Sequence, residues 1–233
     1  VKILPSYLGG KGRWVSRLSQ FKGKRMVEPF AGSAAISFAL AGPDPLWNEI
    51  DSVLVHILSH FDQQEVPEVF TLADYYEKRK RSDWWKWSFC LQRFAYAGIF
   101  RHKMDGGFNV PPDKRIEAVM LRSAYEEALA HWRELRPRVT CGDWTKVPVQ
   151  EYVDAVVILD PPFKNSHVPY CHVEDYRVFW NAVDKIVEVA EAVVVFEYAD
   201  VLERFYPGKE IVSRLSRPNG KKQARLEGMV ILP

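Results

Sequence analysis

Asp160-Pro161-Pro162-Phe163 follows directly on the apolar run Val156–Leu159. The order puts a carboxylate, a rigid carbonyl and an aromatic face at the end of a buried strand. That combination suits chemistry on a ring-conjugated amine, a poor nucleophile because its lone pair is delocalised into the ring. The Asp160 carboxylate and the Pro161 carbonyl would each accept a hydrogen bond from the amine. The nitrogen would be drawn toward tetrahedral geometry, its lone pair freed for in-line attack on a sulfonium methyl. The prolines hold the carbonyl rigid and remove competing N–H donors, and Phe163 offers a stacking face. Positioning and electrostatics supply the rate, without a metal or a covalent intermediate.

Two further segments fit beside that tetrapeptide. In Val27-Glu28-Pro29-Phe30-Ala31-Gly32-Ser33-Ala34, a strand ends at a glycine turn and a helix begins. Such a turn brings backbone N–H groups and a positive helix end to a ligand, and glycine admits close approach to the main chain. In Asn48-Glu49-Ile50-Asp51, a second short strand ends about 20 residues after that turn. A carboxylate at this spacing can accept hydrogen bonds from ribose hydroxyls. Asp51 could equally cap the helix that follows.

The elements that must position these residues alternate. Met26-Val27, Val156–Leu159, Val193–Phe196 and Met229–Leu232 read as strands buried on both faces. Ser33–Leu40 and Asp175–Ala190 read as helices, the second with Val178, Phe179, Ala182, Ile186 and Val189 at spacings of three and four. The pattern predicts an α/β fold, a doubly wound Rossmann-like sheet with ligands at the carboxyl ends of its strands. From 61 to 136 the rhythm breaks into a charged, Trp-rich, mainly helical segment. Gly106-Gly107 and Pro111-Pro112 punctuate a loop there, and a helix is expected from a cap at Asp113 through Leu135. This reads as a lobe, 61–136, inserted into a sheet domain made of 1–60 and 137–233.

Composition narrows the partners. The chain of 233 residues is 47% hydrophobic, as globular proteins are, and has no apolar stretch long enough for a membrane span. No secretory signal is visible in Val1–Ser6, and Cys90, Cys141 and Cys171 are too scattered for a disulfide framework or zinc cage, so a reducing, cytoplasmic setting is expected. His167 and His172 beside Cys171 read as loop residues, and no metal site is expected. The net charge of +2 carries no argument for nucleic acid, but its distribution does. Lys78, Arg79, Lys80 and Arg81 precede Trp84, Trp85 and Trp87, and Arg93, Arg101, His102 and Lys103 follow. Interleaved cations and aromatics suit phosphate tracking and base stacking; a solvated helix face beside a local core is the alternative. The three tryptophans cannot share one helix face, so at least one should pack inside the lobe.

In these motifs and their order the chain resembles the Dam-type DNA adenine methyltransferases of bacteria and phages. Tyr7-Leu8-Gly9-Gly10-Lys11 resembles that family's N-terminal Gly-Gly-Lys motif, which contacts the cofactor. Glu28-Pro29-Phe30-Ala31-Gly32 resembles its cofactor loop with Ser33 beside it, Asp51 its ribose ligand, and Asp143 in Cys141-Gly142-Asp143-Trp144 the acidic residue near the cofactor's adenine. Asp160–Phe163 matches its catalytic tetrapeptide. Arg93 to Arg101, then Phe108-Asn109-Val110-Pro111, resembles its target-recognition segment. There the residue matching Tyr96 enters the duplex, while those matching Ile99, Arg101 and Pro111 read base edges. An arginine reading a guanine edge is the physical expectation for Arg101, with a phosphate clamp as the alternative.

The resemblance implies S-adenosylmethionine as cofactor, S-adenosylhomocysteine as product, no metal, and double-stranded DNA as partner, with the target adenine flipped from the helix and its N6 methylated. A monomer is the default expectation because one chain carries all the parts, with a dimer on DNA as the alternative. Flipping costs a few kcal/mol, which stacking on Phe163 would help offset. Several positions depart from the family pattern. Phe163 replaces the usual tyrosine, Ala34 the second glycine of the cofactor loop, and Ser6, Ala97 and Arg115 the lysine, asparagine and tyrosine of GATC-specific members. The reaction is therefore better supported than GATC as target. Cytosine-N4 methylation, adenine methylation in RNA and a catalytically silent DNA-binding relative stay open as alternatives. Tyr170, Tyr176 and Phe179 could wall the base pocket or pack in the core.

Overall fold

The computed structural model describes residues 2–5, 7, 9–104, 106–163, 176–216 and 225–233. Ser6, His167, Tyr170, Cys171, His172 and Asp175, and the side chain of Tyr176, lie outside the described residues. The strands are β1 (Met26–Glu28), β2 (Leu46–Glu49), β3 (Phe70–Thr71), β4 (Ala118–Val119), β5 (Arg138–Cys141), β6 (Val156–Leu159), β7 (Ala192–Tyr198), β8 (Ile211–Ser216) and β9 (Arg225–Leu232). The helices are α1 (Ser37–Leu40), α2 (Ser52–Ser59), α3 (Leu72–Lys78), α4 (Ser88–Phe94), α5 (Arg122–Leu135), α6 (Tyr176–Val187) and α7 (Ala199–Phe205), with a 3-10 segment at Lys11–Phe21.

Seven strands form one sheet in the order β5-β2-β1-β6-β7-β9-β8. β5, β2, β1, β6 and β7 run parallel, while β9 is antiparallel to both β7 and β8. The chain starts at β1, moves outward through β2 to β5, then returns to β6 and moves the other way. The order reverses between β1 and β6, the switch point at whose strand carboxyl ends open α/β sheets form a ligand crevice. The glycine turn leaves β1 and the Asp160 tetrapeptide leaves β6, so both motifs reach that crevice.

Alternation along the strands sorts the side chains into two covered faces. Val27, Val157, Leu159, Val193, Val195, Val230 and Leu232 pack with Phe179, Val183 and Ile186 of α6 and Leu202 of α7. Met26, Val156, Ile158, Val194, Phe196 and Met229 pack with Trp14 and Leu18 of the 3-10 segment and Leu40 of α1. A period of two in a strand buried on both sides produces this partition. Gly228 permits the close seat of α7, because a Cβ there would lie 2.9 Å from the Ala199 Cα.

Residues 61–135 hold their own aromatic cluster, yet that cluster runs without a break into Phe38, Trp47, Leu54 and Ile57 beside the sheet. The small β3–β4 ribbon joins the helices of this region. α5 leads into β5 and places His131 Nε2 2.6 Å from the Phe38 carbonyl, so it covers the sheet as well as the insertion.

Two expected helices are shorter than their patterns. α1 begins only at Ser37, because Gly32 and Ala34 adopt left-handed backbone with φ of 50° and 47°, which no right-handed helix can pass through. α5 begins at Arg122 rather than Asp113. Asp113 instead accepts from the Arg115 guanidinium at 2.6 and 2.8 Å, and Ala118–Val119 pairs with Phe70–Thr71. Pairing across the ribbon satisfies backbone groups that a longer helix would have satisfied internally. Trp84 and Trp87 are buried, and Trp85 packs half-buried on His56 and His60. Lys78 and Arg81 lie 4.9 and 5.1 Å from the Trp87 ring centre, so part of the basic run is folded onto its own aromatics.

Among the described residues, no helix is long and apolar enough to cross a membrane, and no three His, Cys, Asp or Glu side chains converge to hold a metal.

Candidate active site

The β1 loop is held open by contacts to its neighbours. Gly32 N donates to Glu49 Oε2 at 2.8 Å, Ala31 N to the Asn48 carbonyl at 2.9 Å, and Asn48 Nδ2 to the Pro29 carbonyl at 3.1 Å. Glu28 turns inward, where its carboxylate accepts from Ser37 N at 2.8 Å. Burial there pushes its carboxyl up to about 7 against the opposing hydrogen bonds from Ser37. The 7–11 segment lies over the loop. A Cβ on Gly32 would meet the Tyr7 ring at 3.4 Å, and one on Gly10 would meet the Tyr7 carbonyl at 3.1 Å and Ser33 Oγ at 3.4 Å. Both glycines therefore sit where the chain segments touch. Ala34 carries its side chain in a left-handed position and is fully buried. The departure from glycine is accommodated, at a backbone cost of about 1–2 kcal/mol.

At the end of β2 the carboxylates divide the work. Asp51 caps α2, accepting from Val53 N at 2.9 Å and Leu54 N at 3.2 Å, and both of its oxygens lie 3.1 Å from His102 Nε2. Glu49 reaches back to the glycine turn through Oε2 and accepts from Ile50 N and Asp51 N through Oε1. Desolvation raises its carboxyl in spite of those three donors. Glu49 is thus the β2 carboxylate in direct contact with the loop. Its signal in the sequence is a carboxylate at the very end of the strand Leu46–Glu49. Asp143 caps the short turn after β5 through Thr145 N, and that bond together with Thr145 Oγ1 holds its carboxyl below the usual range. Trp144 lies 5.4 Å from Phe30 and 5.7 Å from Phe179, a half-open aromatic wall beside the loop.

Asp160 leaves β6 into a cluster of charge. Lys11 Nζ lies 2.7 Å from Asp160 Oδ2 and 3.1 Å from Glu227 Oε1, and donates to the Gly9 carbonyl at 3.0 Å. Desolvation lifts the Asp160 carboxyl to about 6, opposed by the Lys11 ammonium and assisted by Glu227. The two carboxylates together hold the buried Lys11 ammonium above its ordinary value, outweighing the desolvation that would lower it. Asp160 keeps 23% of its side-chain surface exposed, and Phe163 is half-buried, so both retain some open surface. Pro161 is buried beneath them and Pro162 half-buried. The Phe163 ring meets the Tyr198 ring edge at 5.0 Å and has Lys11 Nζ 5.1 Å from its centre. Lys11 thus grips the carboxylate that opens the Asp160–Phe163 tetrapeptide. Glu227 and Tyr198 carry no motif that points to them in the sequence, although a glutamate inside the apolar run Leu226–Leu232 is a visible anomaly.

The recognition-like residues form a narrow ribbon. Tyr96 N donates to the Pro111 carbonyl at 3.0 Å, Asn109 N to the Arg101 carbonyl at 2.9 Å, and Arg101 Nε to the Asn109 carbonyl at 2.8 Å. Tyr96 is 54% exposed, and Arg93, Ala97, Arg101, Pro111 and Arg115 are exposed too, whereas Ile99 and Asn109 are half-buried. Ala97 and Gly98 are both left-handed, with φ of 52° and 68°. Arg115 is bound to Asp113. The ribbon reaches the crevice through His102 on Asp51 and through Phe100, whose ring lies 6.1 Å from that of Tyr7.

No family model matches the chain. It is 25% identical over 189 residues to the retron Ec67 DNA adenine methylase of Escherichia coli, covering 70% of this chain and 64% of that protein. The chain therefore spans somewhat under two thirds of the length of that relative. Among solved structures, an rRNA methylase from Streptococcus thermophilus superposes with a TM-score of 0.39 at 8% identity, over 94% of this chain and 93% of that one. A Thermoplasma acidophilum protein superposes with a TM-score of 0.40 at 12% identity, over 94% and 83%.

Proposed function

We infer that this chain is an S-adenosylmethionine-dependent methyltransferase acting on nucleic acid, and that its substrate is the N6 amine of an adenine flipped out of duplex DNA. The observation that carries the reading is the arrival of Asp160-Pro161-Pro162-Phe163 at the β1/β6 switch point, opposite the glycine turn, with Asp160 ion-paired yet still partly open. The similarity to a DNA adenine methylase supports the choice of adenine and DNA.

The donor set fits a sulfonium nucleoside. Glu49 at the loop suits ribose hydroxyls, the Phe30–Trp144 wall suits a purine face, and the partly open Asp160 carboxylate suits a positive sulfur. Bound there, the cofactor supplies an electrophilic methyl. The protein's own part is to orient the amine. Asp160 accepts from one N–H and the Pro161 carbonyl from the other, while Phe163 supports the base face. Ionised Asp160 is the working form, because only a carboxylate accepts without competing as a donor. Tyr96 on the exposed ribbon would fill the gap left in the duplex, and Arg101 would read a base edge. The site would be related to GATC, read differently where Ser6, Ala97 and Arg115 depart from the family pattern.

Transfer of labelled methyl to duplex DNA, followed by nucleoside analysis, tests this. N6-methyladenine is expected. N4-methylcytosine would move the reading to cytosine, preferred labelling of RNA in competition would move it to RNA, and cofactor binding without any transfer would reject it. Glu49→Gln should weaken cofactor affinity roughly tenfold, as expected for a lost charge-assisted hydrogen bond, with the rate at saturating cofactor little changed. Calorimetry and turnover measured together check that split.

A further inference from the structure

Lys11 is enclosed on every donor direction. An ammonium has three protons, and three oxygens from three separate parts of the chain surround this one: the Gly9 carbonyl, Asp160 after β6, and Glu227 in β9. The Phe163 and Phe196 rings add to its surroundings at 5.1 and 5.4 Å. Glu227 is only 7% exposed. It stands opposite Tyr198 in the β7–β9 ladder, next to the glycine over which α7 closes. A carboxylate in that strand is costly to bury unless a specific partner offsets the cost, and the Lys11 ammonium is that partner.

We propose that Glu227 is a positioning residue for methyl transfer: it anchors the Lys11 ammonium from β9, so that Lys11 holds Asp160 through Oδ2 and leaves the second oxygen to the target amine. The proposal rests on the methyl-transfer reading above. Without the Glu227 charge the ammonium has one anionic partner instead of two and is drawn further onto Asp160. A carboxylate gripped more tightly by a cation is a weaker acceptor for a neutral amine. Among the described residues, the charged groups acting on Asp160 are Lys11 from the 3-10 segment, Glu227 from β9 and Glu28 from β1. The sign follows from the charges. Glu227 raises the Asp160 carboxyl, so neutralising Glu227 lowers it.

The experiment uses the full chain as wild type, Glu227→Gln and Glu227→Ala. Single-turnover transfer from S-adenosylmethionine to duplex DNA is followed from about pH 5 to about pH 9. The Asp160 carboxyl is titrated in parallel by carbon NMR. Glu227→Gln keeps the shape and removes the charge. It should shift the Asp160 titration and the acid limb of the rate to lower pH and reduce the plateau rate roughly tenfold, with KM for cofactor and DNA within about twofold of wild type. Glu227→Ala loses the anchor as well and should fall further, toward a hundredfold. An unshifted titration with wild-type rates in Glu227→Gln overturns the proposal. So does a lower melting temperature with the acid limb and plateau unmoved, which would make Glu227 merely structural. A wild-type protein that transfers no methyl, with the Asp160 titration still shifted by Glu227→Gln, would instead reject the methyl-transfer reading and keep the Lys11 linkage.

Discussion

At the β1/β6 crevice, charged and polar groups meet partners from distant parts of the chain. Lys11 meets Asp160 and Glu227, and Glu49 meets the Gly32 N–H. Along the 93–115 ribbon, partners are local and surfaces open: Arg115 binds Asp113 two residues away, Arg101 binds the Asn109 carbonyl, and Tyr96 faces water. Desolvation makes the difference. Burial in the crevice shifts carboxyl groups by raising the cost of charge, and each charge then needs a partner in tertiary space. Exposure in the ribbon leaves side chains available to an outside surface. On the proposed function, the crevice alters reactivity and the ribbon is read against the duplex. His102 on Asp51 and Phe100 beside Tyr7 join the two.

The contrast can be broken most severely at Asp160. Asp160→Ala should lower methyl transfer by roughly a thousandfold while DNA affinity measured by fluorescence anisotropy stays near wild type; substantial turnover in that variant would remove Asp160 from the chemistry. Lys11→Met is next. The Lys11 ammonium opposes the desolvation that lifts Asp160 to about 6, so its removal should move the acid limb of the rate to higher pH. Transfer at neutral pH should fall roughly tenfold, because less of Asp160 is then ionised, and should recover toward alkaline pH. A loss equal at all pH values would make Lys11 a cofactor contact alone.

In the ribbon, effects should be selective rather than catalytic. Arg101→Ala should cost about 1–3 kcal/mol at a single base pair and relax specificity there. A uniform loss across sequences, with a shallower salt dependence, would identify a phosphate contact instead. The smallest effect is expected at Ala97. This exposed residue is left-handed with φ of 52°, so Ala97→Gly should relieve about 1 kcal/mol of strain and raise Tm by about 2–4 °C. An unaltered or lower Tm would show that the strain is compensated within the ribbon.

Much of the sheet is legible because it is written locally. Ala155–Leu159 and Ala192–Phe196 are continuous apolar runs bounded by carboxylates, and such runs are strands wherever they are buried on both faces. Less legible are β5 and β8, which lie at the two ends of the sheet order. β5 is largely exposed, so its sequence Arg138-Val-Thr-Cys141 carries little apolar signal. The start of α5 is hidden from the sequence for a different reason. Asp113 is a good cap by composition but binds Arg115, and β3, far back in the sequence, claims Ala118–Val119 as its partner.

The sequence by itself determined the reactive group types and their order: a carboxylate before two prolines, a glycine turn after a strand, and basic and aromatic residues in between. These depend on covalent neighbours and on periodicities of two and 3.6 residues, which any reader of the chain can count. The tertiary structure alone decided which charges face each other. Lys11, Asp160 and Glu227 are separated by scores of residues, and Glu49 and Asp51, nearly adjacent, end with different partners. A charge's worth is set by what lies within a few ångströms and by how much water is left there, and neither is a local property of the chain.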